Sequence, residues 1–89
     1  MEVEEKVKVS NELGLHARPA AIIVKLVEGC NSTVQLFQDK KRADAKSIMD
    51  ILMLSAKKDS LITIKAQGRD AEEVVQKLVL SFNRRFEGI

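Results

Sequence analysis

An α+β fold is predicted here: an open-faced β-sandwich in which a four-stranded antiparallel sheet is covered on one face by three helices. Three observations lead to it. Apolar residues alternate with polar ones in several short runs, the period of half-buried strands. Two longer runs instead repeat apolar residues at i, i+3, i+4 and i+7, the period of a helix with one buried face. The segments follow the order β-α-β-β-α-β-α, and helices with one apolar face each are satisfied by covering one side of a sheet. With 89 residues the chain makes a single domain, residues 1–89.

The first strand is signalled by Val3, Val7 and Val9 on one parity, with Glu2, Glu4, Lys6 and Lys8 on the other; Glu5 alone breaks the pattern. Ser10 to Gly14 turns the chain. Ala17 to Glu28 reads as a helix with Ala17, Ala20, Ala21, Val24 and Val27 as its apolar face. Pro19 is tolerated only in the first turn, where a missing N–H costs nothing. Gly29 is a natural stop. The small side chains near the helix start, Ala20 among them, let another surface approach closely. Ser32 to Gln38 is a second strand, Asp39-Lys40 a tight turn, and Lys41 to Asp44 a short polar strand suited to a sheet edge.

Ser47 opens a short helix, with Asp50 three residues on in the Ser-x-x-Asp capping pattern. Ile48, Met49, Ile51, Leu52, Met53 and Leu54 follow with almost no polar relief. A helix this short cannot bury all of them in so small a domain. Ile51 and Leu54 are assigned to the core, and Ile48, Met49 and Leu52 to an exposed patch. Lys57 to Ser60 is a charged loop. Ser60 to Gln67 is the fourth strand, with Ile62, Ile64 and Ala66 inward. Asp70 and Glu73 read as a second capping box. Ala71, Val74, Val75, Leu78, Val79, Phe82 and Phe86 trace the clearest helical stripe in the chain.

Composition narrows the function. A net charge of +2, no tryptophan or tyrosine and only three phenylalanines argue against nucleic-acid binding. No apolar run approaches a membrane span, and the acidic start is wrong for a signal peptide. A cytoplasmic protein is expected. Cys30 is the only cysteine, so no internal disulfide can form.

The chemistry concentrates in Gly14-Leu15-His16-Ala17-Arg18-Pro19-Ala20, which holds the only histidine and the only proline. The histidine falls at the junction between a strand-like and a helix-like run. There it faces backbone N–H groups that have no partner inside the helix, at the positive end of the helix dipole. The N–H groups of Ala17 and Arg18 belong to this set, and the Arg18 side chain adds a fixed charge. A neutral imidazole is a nucleophile near neutral pH, and its phosphoramidate is labile because a protonated imidazole leaves well. An anion at a helix start gains about 0.3–1 kcal/mol, enough to orient a phosphoryl group and too little to trap it. Read plainly, without this chemistry, His16 is a solvated loop residue and Ser47 is explained as a helix cap.

The same stretch resembles the active-site motif of the HPr family, the histidine phosphocarriers of the bacterial phosphoenolpyruvate-dependent phosphotransferase system. Ala45-Lys46-Ser47-Ile48-Met49 resembles that family's second motif. The resemblance implies that His16 accepts a phosphoryl group on Nδ1 from phosphorylated enzyme I and passes it to an enzyme IIA domain. It implies that Arg18 pairs with the phosphate and that Ser47 is the serine regulated by an HPr kinase/phosphorylase. It places Ala20, Ile48, Met49 and Leu52 in the partner-binding surface of a monomer that needs no cofactor or metal and is a carrier rather than an enzyme. Asp50 departs from the glycine or lysine that many relatives have beside that serine. Asn11-Glu12-Leu13-Gly14 and Phe82-Asn83-Arg84-Arg85-Phe86 are similar to the nitrogen-related NPr branch. That likeness favours an alternative, a regulatory module whose partners read its phosphorylation state.

Overall fold

The structure, a computed structural model, describes residues 1–87. Its elements are β1 (Glu2–Lys8), α1 (Ala17–Val27), β2 (Ser32–Gln38), β3 (Lys41–Asp44), α2 (Ile48–Met53), β4 (Leu61–Gly68) and α3 (Ala71–Asn83). The four strands form one sheet in the order β1-β4-β2-β3, with every pairing antiparallel. The order and class are those the sequence predicts.

Successive side chains of a strand point to opposite faces, so the register decides what each face meets. Val7 stands opposite Ile62, and Ile64 lies between Glu5 and Leu36. Leu36 in turn faces Ala43. Apart from Glu5 these residues are buried under the helices. The other face is polar. There Glu4 stands opposite Lys65 and forms an ion pair at 3.7 Å, while the Lys65 ammonium sits 5.2 Å from the Phe37 ring centre. Glu5 shares the inward parity of Val3 and Val7, yet it is exposed because β1 is an edge strand. An inward-parity carboxylate on an edge discourages a further strand from adding.

Helix α3 buries Ala71, Val74, Val75, Leu78 and Phe82, and Phe86 beyond it is equally buried. The expected stripe is therefore present, with Val79 only partly covered. Helix α1 differs from expectation. Its buried face is Pro19, Ala20, Ile23 and Val27, while Ala17 and Ala21 are exposed. The stripe is rotated toward Ile23, because burying a large side chain gains more than burying an alanine.

The capping box expected at Asp70 is absent. Asp70 occupies the N-cap position of α3, but its side chain bonds no N–H of that helix. Its carboxylate instead accepts the Asn31 backbone N–H at 2.9 Å and the Ser32 hydroxyl at 2.6 Å. A charge-assisted bond to the start of β2 takes precedence over the local cap.

That arrangement has a pH signature. The Asn31 N–H, then the Ser32 hydroxyl, hold the Asp70 carboxyl below its ordinary value. The stability it contributes is fully present above about pH 4, the unfolded pKa, and is lost as pH falls through the lower folded value. Asp70→Asn should flatten the acid limb of a plot of unfolding midpoint against pH and leave the shape above about pH 5 unchanged. Urea unfolding across this range checks it.

Candidate functional site

The loop from β1 to α1 is pinned against the loop that precedes β4. Val9 donates its N–H to Ser60 O at 2.9 Å, and Asp59 returns one to Val9 O at 2.6 Å. Leu15 donates to Ala56 O at 2.9 Å and is buried beneath the loop. Gly14 adopts φ +69, and a Cβ there would stand 2.2 Å from the Ala56 carbonyl oxygen. Only glycine permits both the left-handed backbone and this approach. The Asn11 side-chain amide donates to Gly14 O, which closes the loop on itself.

His16 comes next in extended conformation, φ −83 and ψ −167, at the N-cap of α1. Its carbonyl accepts the Ala20 N–H at 3.0 Å, so the helix starts directly beyond it. Its ring makes no capping bond. The imidazole is therefore not committed to the helix, and the first-turn N–H groups of Ala17 and Arg18 have no side-chain cap. Pro19, the third residue, has no N–H to leave unpaired.

The Arg18 side chain runs to the far end of the chain. Its Nη1 donates to Phe86 O at 3.0 Å. Phe86 is held there by burial and by an edge-to-face contact with Phe82, ring centres 4.9 Å apart. His16 and Arg18 line one open cleft of about 550 Å³ together with Glu12, Leu13, Lys58 and Arg85. Lys58 Nζ and Glu12 Oε1 form an ion pair across it at 2.9 Å. That bond holds the Glu12 carboxyl below its ordinary value and raises the Lys58 ammonium above its own. Sequence reading finds His16 and Arg18 but not Glu12, Lys58 or Arg85 as their neighbours. No local pattern marks a cleft built from three separate loops.

The second motif is resolved into its parts. Ser47 Oγ accepts the Asp50 N–H at 3.1 Å and caps α2 as expected. The reciprocal arm is absent, because the Asp50 carboxylate accepts the Asp44 N–H at 3.1 Å instead. Ile51 and Leu54 are fully buried, while Ile48 and Met49 are exposed. Leu52 is only half exposed and packs on the core, whereas Met53, 72% exposed, extends the patch in its place. Ala20 is 0% exposed, so the expectation that it offers a partner surface is incorrect. Packed on the inward face of α1, it leaves Ala17 and Ala21 as the exposed small residues at that end.

The pinned loop makes a testable demand. Gly14→Ala should cost about 2–4 kcal/mol in urea unfolding, from left-handed strain plus a backbone clash. Gly29 also has positive φ, at +79, but nothing lies within 4 Å of an added Cβ. Gly29→Ala should cost only the strain, about 1–2 kcal/mol. The difference between the two isolates the contact with Ala56.

Known proteins resemble this chain in sequence and fold over nearly its whole length. The family model described as the PTS HPr component phosphorylation site matches residues 3–84. Phosphocarrier protein NPr of Escherichia coli (strain K12) is 35% identical over 88 residues, which is 98% of each chain. The HPr-like protein Crh of Bacillus subtilis (strain 168) is 41% identical over 76 residues, 85% of this chain and 89% of that one. Among solved structures, HPr-C-His from Thermoanaerobacter tengcongensis superposes with a TM-score of 0.92 at 33% identity over 98% of both chains. A single uncapped histidine at a pinned helix start, in a fold and sequence shared over nearly the whole chain, places this protein in the HPr family of phosphotransferase-system phosphocarriers, with features of the NPr branch.

Proposed function

We propose that this chain relays a phosphoryl group on His16, taking it from phosphorylated enzyme I and giving it to an enzyme IIA domain. The observation that carries the reading is the free imidazole of His16 at the N-terminus of α1, beside Arg18 in one open cleft. A ring nitrogen, Nδ1 by family resemblance, attacks phosphorus as the donor's nitrogen leaves with its electron pair. In the onward step the acceptor attacks phosphorus, and the P–N bond breaks toward a protonated imidazole. The Ala17 and Arg18 N–H groups orient the phosphoryl oxygens. Arg18 spends Nη1 on Phe86 O and has its remaining guanidinium donors for the phosphate. Its partners supply the rest of each transfer site, so the chain turns over no small molecule of its own. The reading places it in the cytoplasm, where it works as a monomer.

Ile48, Met49 and Met53 form the docking patch in this reading. Flexible methionines suit a surface that must accept more than one partner. Ser47 is the regulatory site, open to an HPr kinase/phosphorylase where one is present. A phosphate there would gain from the start of α2 and be opposed by Asp50, whose N–H the Ser47 hydroxyl already accepts.

Leu13 favours a second reading. It is 76% exposed on the rim of the His16 cleft, an apolar side chain presented where a partner must dock. Together with the NPr relative, it supports a regulatory module whose partners distinguish its phosphorylated and unphosphorylated forms.

Incubation with phosphoenolpyruvate and enzyme I should add one acid-labile phosphate to the chain and none to His16→Ala. Intact-mass measurement at neutral and acid pH reads this directly. A wild-type chain that stays unmodified would end the carrier reading. Affinity capture with both forms then separates the two readings: a partner set that changes with phosphorylation supports the regulatory module, and an unchanged set leaves the relay alone.

A further inference from the structure

The cleft beside His16 holds more charge than the family motif accounts for. Arg18, Lys58 and Arg85 line it, and so do Glu12, Asp59 and Glu87. At rest these three cations and three carboxylates balance. A phosphoryl group on His16 would bring about two further negative charges into the same space.

Lys58 is placed there by its turn. Lys57 donates its N–H to Ser60 Oγ at 3.0 Å, and Ser60 returns its own N–H to Lys57 O at 3.0 Å. Asp59 takes φ +75 within this turn and bonds Val9 O, which fixes the turn against the histidine loop. The only partner of the Lys58 ammonium among the described residues is Glu12, and both side chains are solvent-exposed. An exposed pair of this kind contributes little and exchanges readily for a stronger anion.

Arg85 is placed by the end of α3. Its N–H bonds Phe82 O at 3.1 Å, and the Phe86 N–H bonds Ser81 O at 2.8 Å. These two bonds make a Schellman ending with Arg85 at the left-handed position, φ +56. Glycine is the residue that this position favours. An arginine held there, with a field that reaches both Glu12 and Lys58, breaks a local rule beside a functional site.

Resting on the carrier reading, we infer that Lys58 and Arg85 join Arg18 in holding the phosphoryl group on His16, and that Glu12 keeps Lys58 in place until the group arrives. Glu12 offers Lys58 a single negative charge, and the phosphoryl group offers about two. Lys58 therefore moves to the phosphoryl oxygens, and Glu12 turns to solvent.

The test is an equilibrium. Isotope-labelled wild type is mixed with an unlabelled variant, phosphoenolpyruvate and a catalytic amount of enzyme I, and the phosphoryl distribution is read by intact mass. An equilibrium depends on the end states alone, so any contact between Lys58 and enzyme I drops out of it. Lys58→Gln should hold the phosphoryl group about two- to fivefold less than wild type, and Glu12→Gln should hold it more by a similar factor. Arg85→Gly should also hold it less, although it unfolds at higher urea than wild type because glycine relieves the left-handed strain. Loss of phosphoryl affinity with a gain in stability is an outcome that a purely structural role does not produce. Equal partition of Lys58→Gln and Arg85→Gly with wild type would overturn the inference and leave the carrier reading standing. No phosphohistidine in any chain would end both.

Discussion

The contact on which the site depends is the close approach of Gly14 to the Ala56 carbonyl. It is a backbone-to-backbone contact, so it admits no adjustment by side-chain rotation. Leu15 donates its N–H to the same carbonyl oxygen, which ties the histidine loop to the loop after α2 at one point. His16 follows at once, and α1 begins directly after it. The histidine thus inherits its position from a glycine that touches nothing chemical. Its ring can stay free of capping bonds because the neighbouring backbone already holds the loop in place.

The same seam explains why the cleft draws on distant parts of the chain. The loop before α1 brings Glu12 and His16, the turn before β4 brings Lys58, and the end of α3 brings Arg85 and the carbonyl that holds Arg18. None of these charged groups is deeply buried, and each exposed pair contributes little by itself. For the proposed relay that is an advantage. A site that held phosphate tightly would slow the onward step, whereas several weak and exchangeable pairs orient the group and let it go.

The sheet and helices were legible because burial imposes a period. Val34 and Leu36, or Ile62 and Ile64, can be assigned from alternation, and the α3 stripe from its repeat. The positions of His16 and Ser47 were legible because each sits at a helix start, where sequence carries a local signal. The departures from the local pattern share a cause. The chain neighbours of Ala20 and Asp70 point one way, and contacts that sequence separation hides decide otherwise. Ala20 sits among small residues at the helix start, yet the larger Ile23 turns the helix so that Ala20 faces the core. Asp70 has a capping partner three residues on, but the start of β2 competes for its carboxylate and wins. The pairing of Lys58 with Glu12 is of the same kind, since nothing in either loop's sequence names the other.

The exposed apolar patch follows from the shortness of α2. A six-residue helix has one side against the core, and Ile51 takes that place. Ile48, Met49 and Met53 are left outside, and no element among the described residues covers them. In a structural protein, so much exposed apolar surface on one short helix would be a liability. In a carrier it fits a partner that must leave again. A small apolar patch drives association without the large buried area of a permanent complex, and methionine adapts to surfaces of different shape. In the proposed relay, affinity comes from the patch and orientation from the charged cleft. On the proposed reading, moving the phosphoryl group from this chain to its acceptor alters only the second contribution, so the complex forms and separates within one transfer.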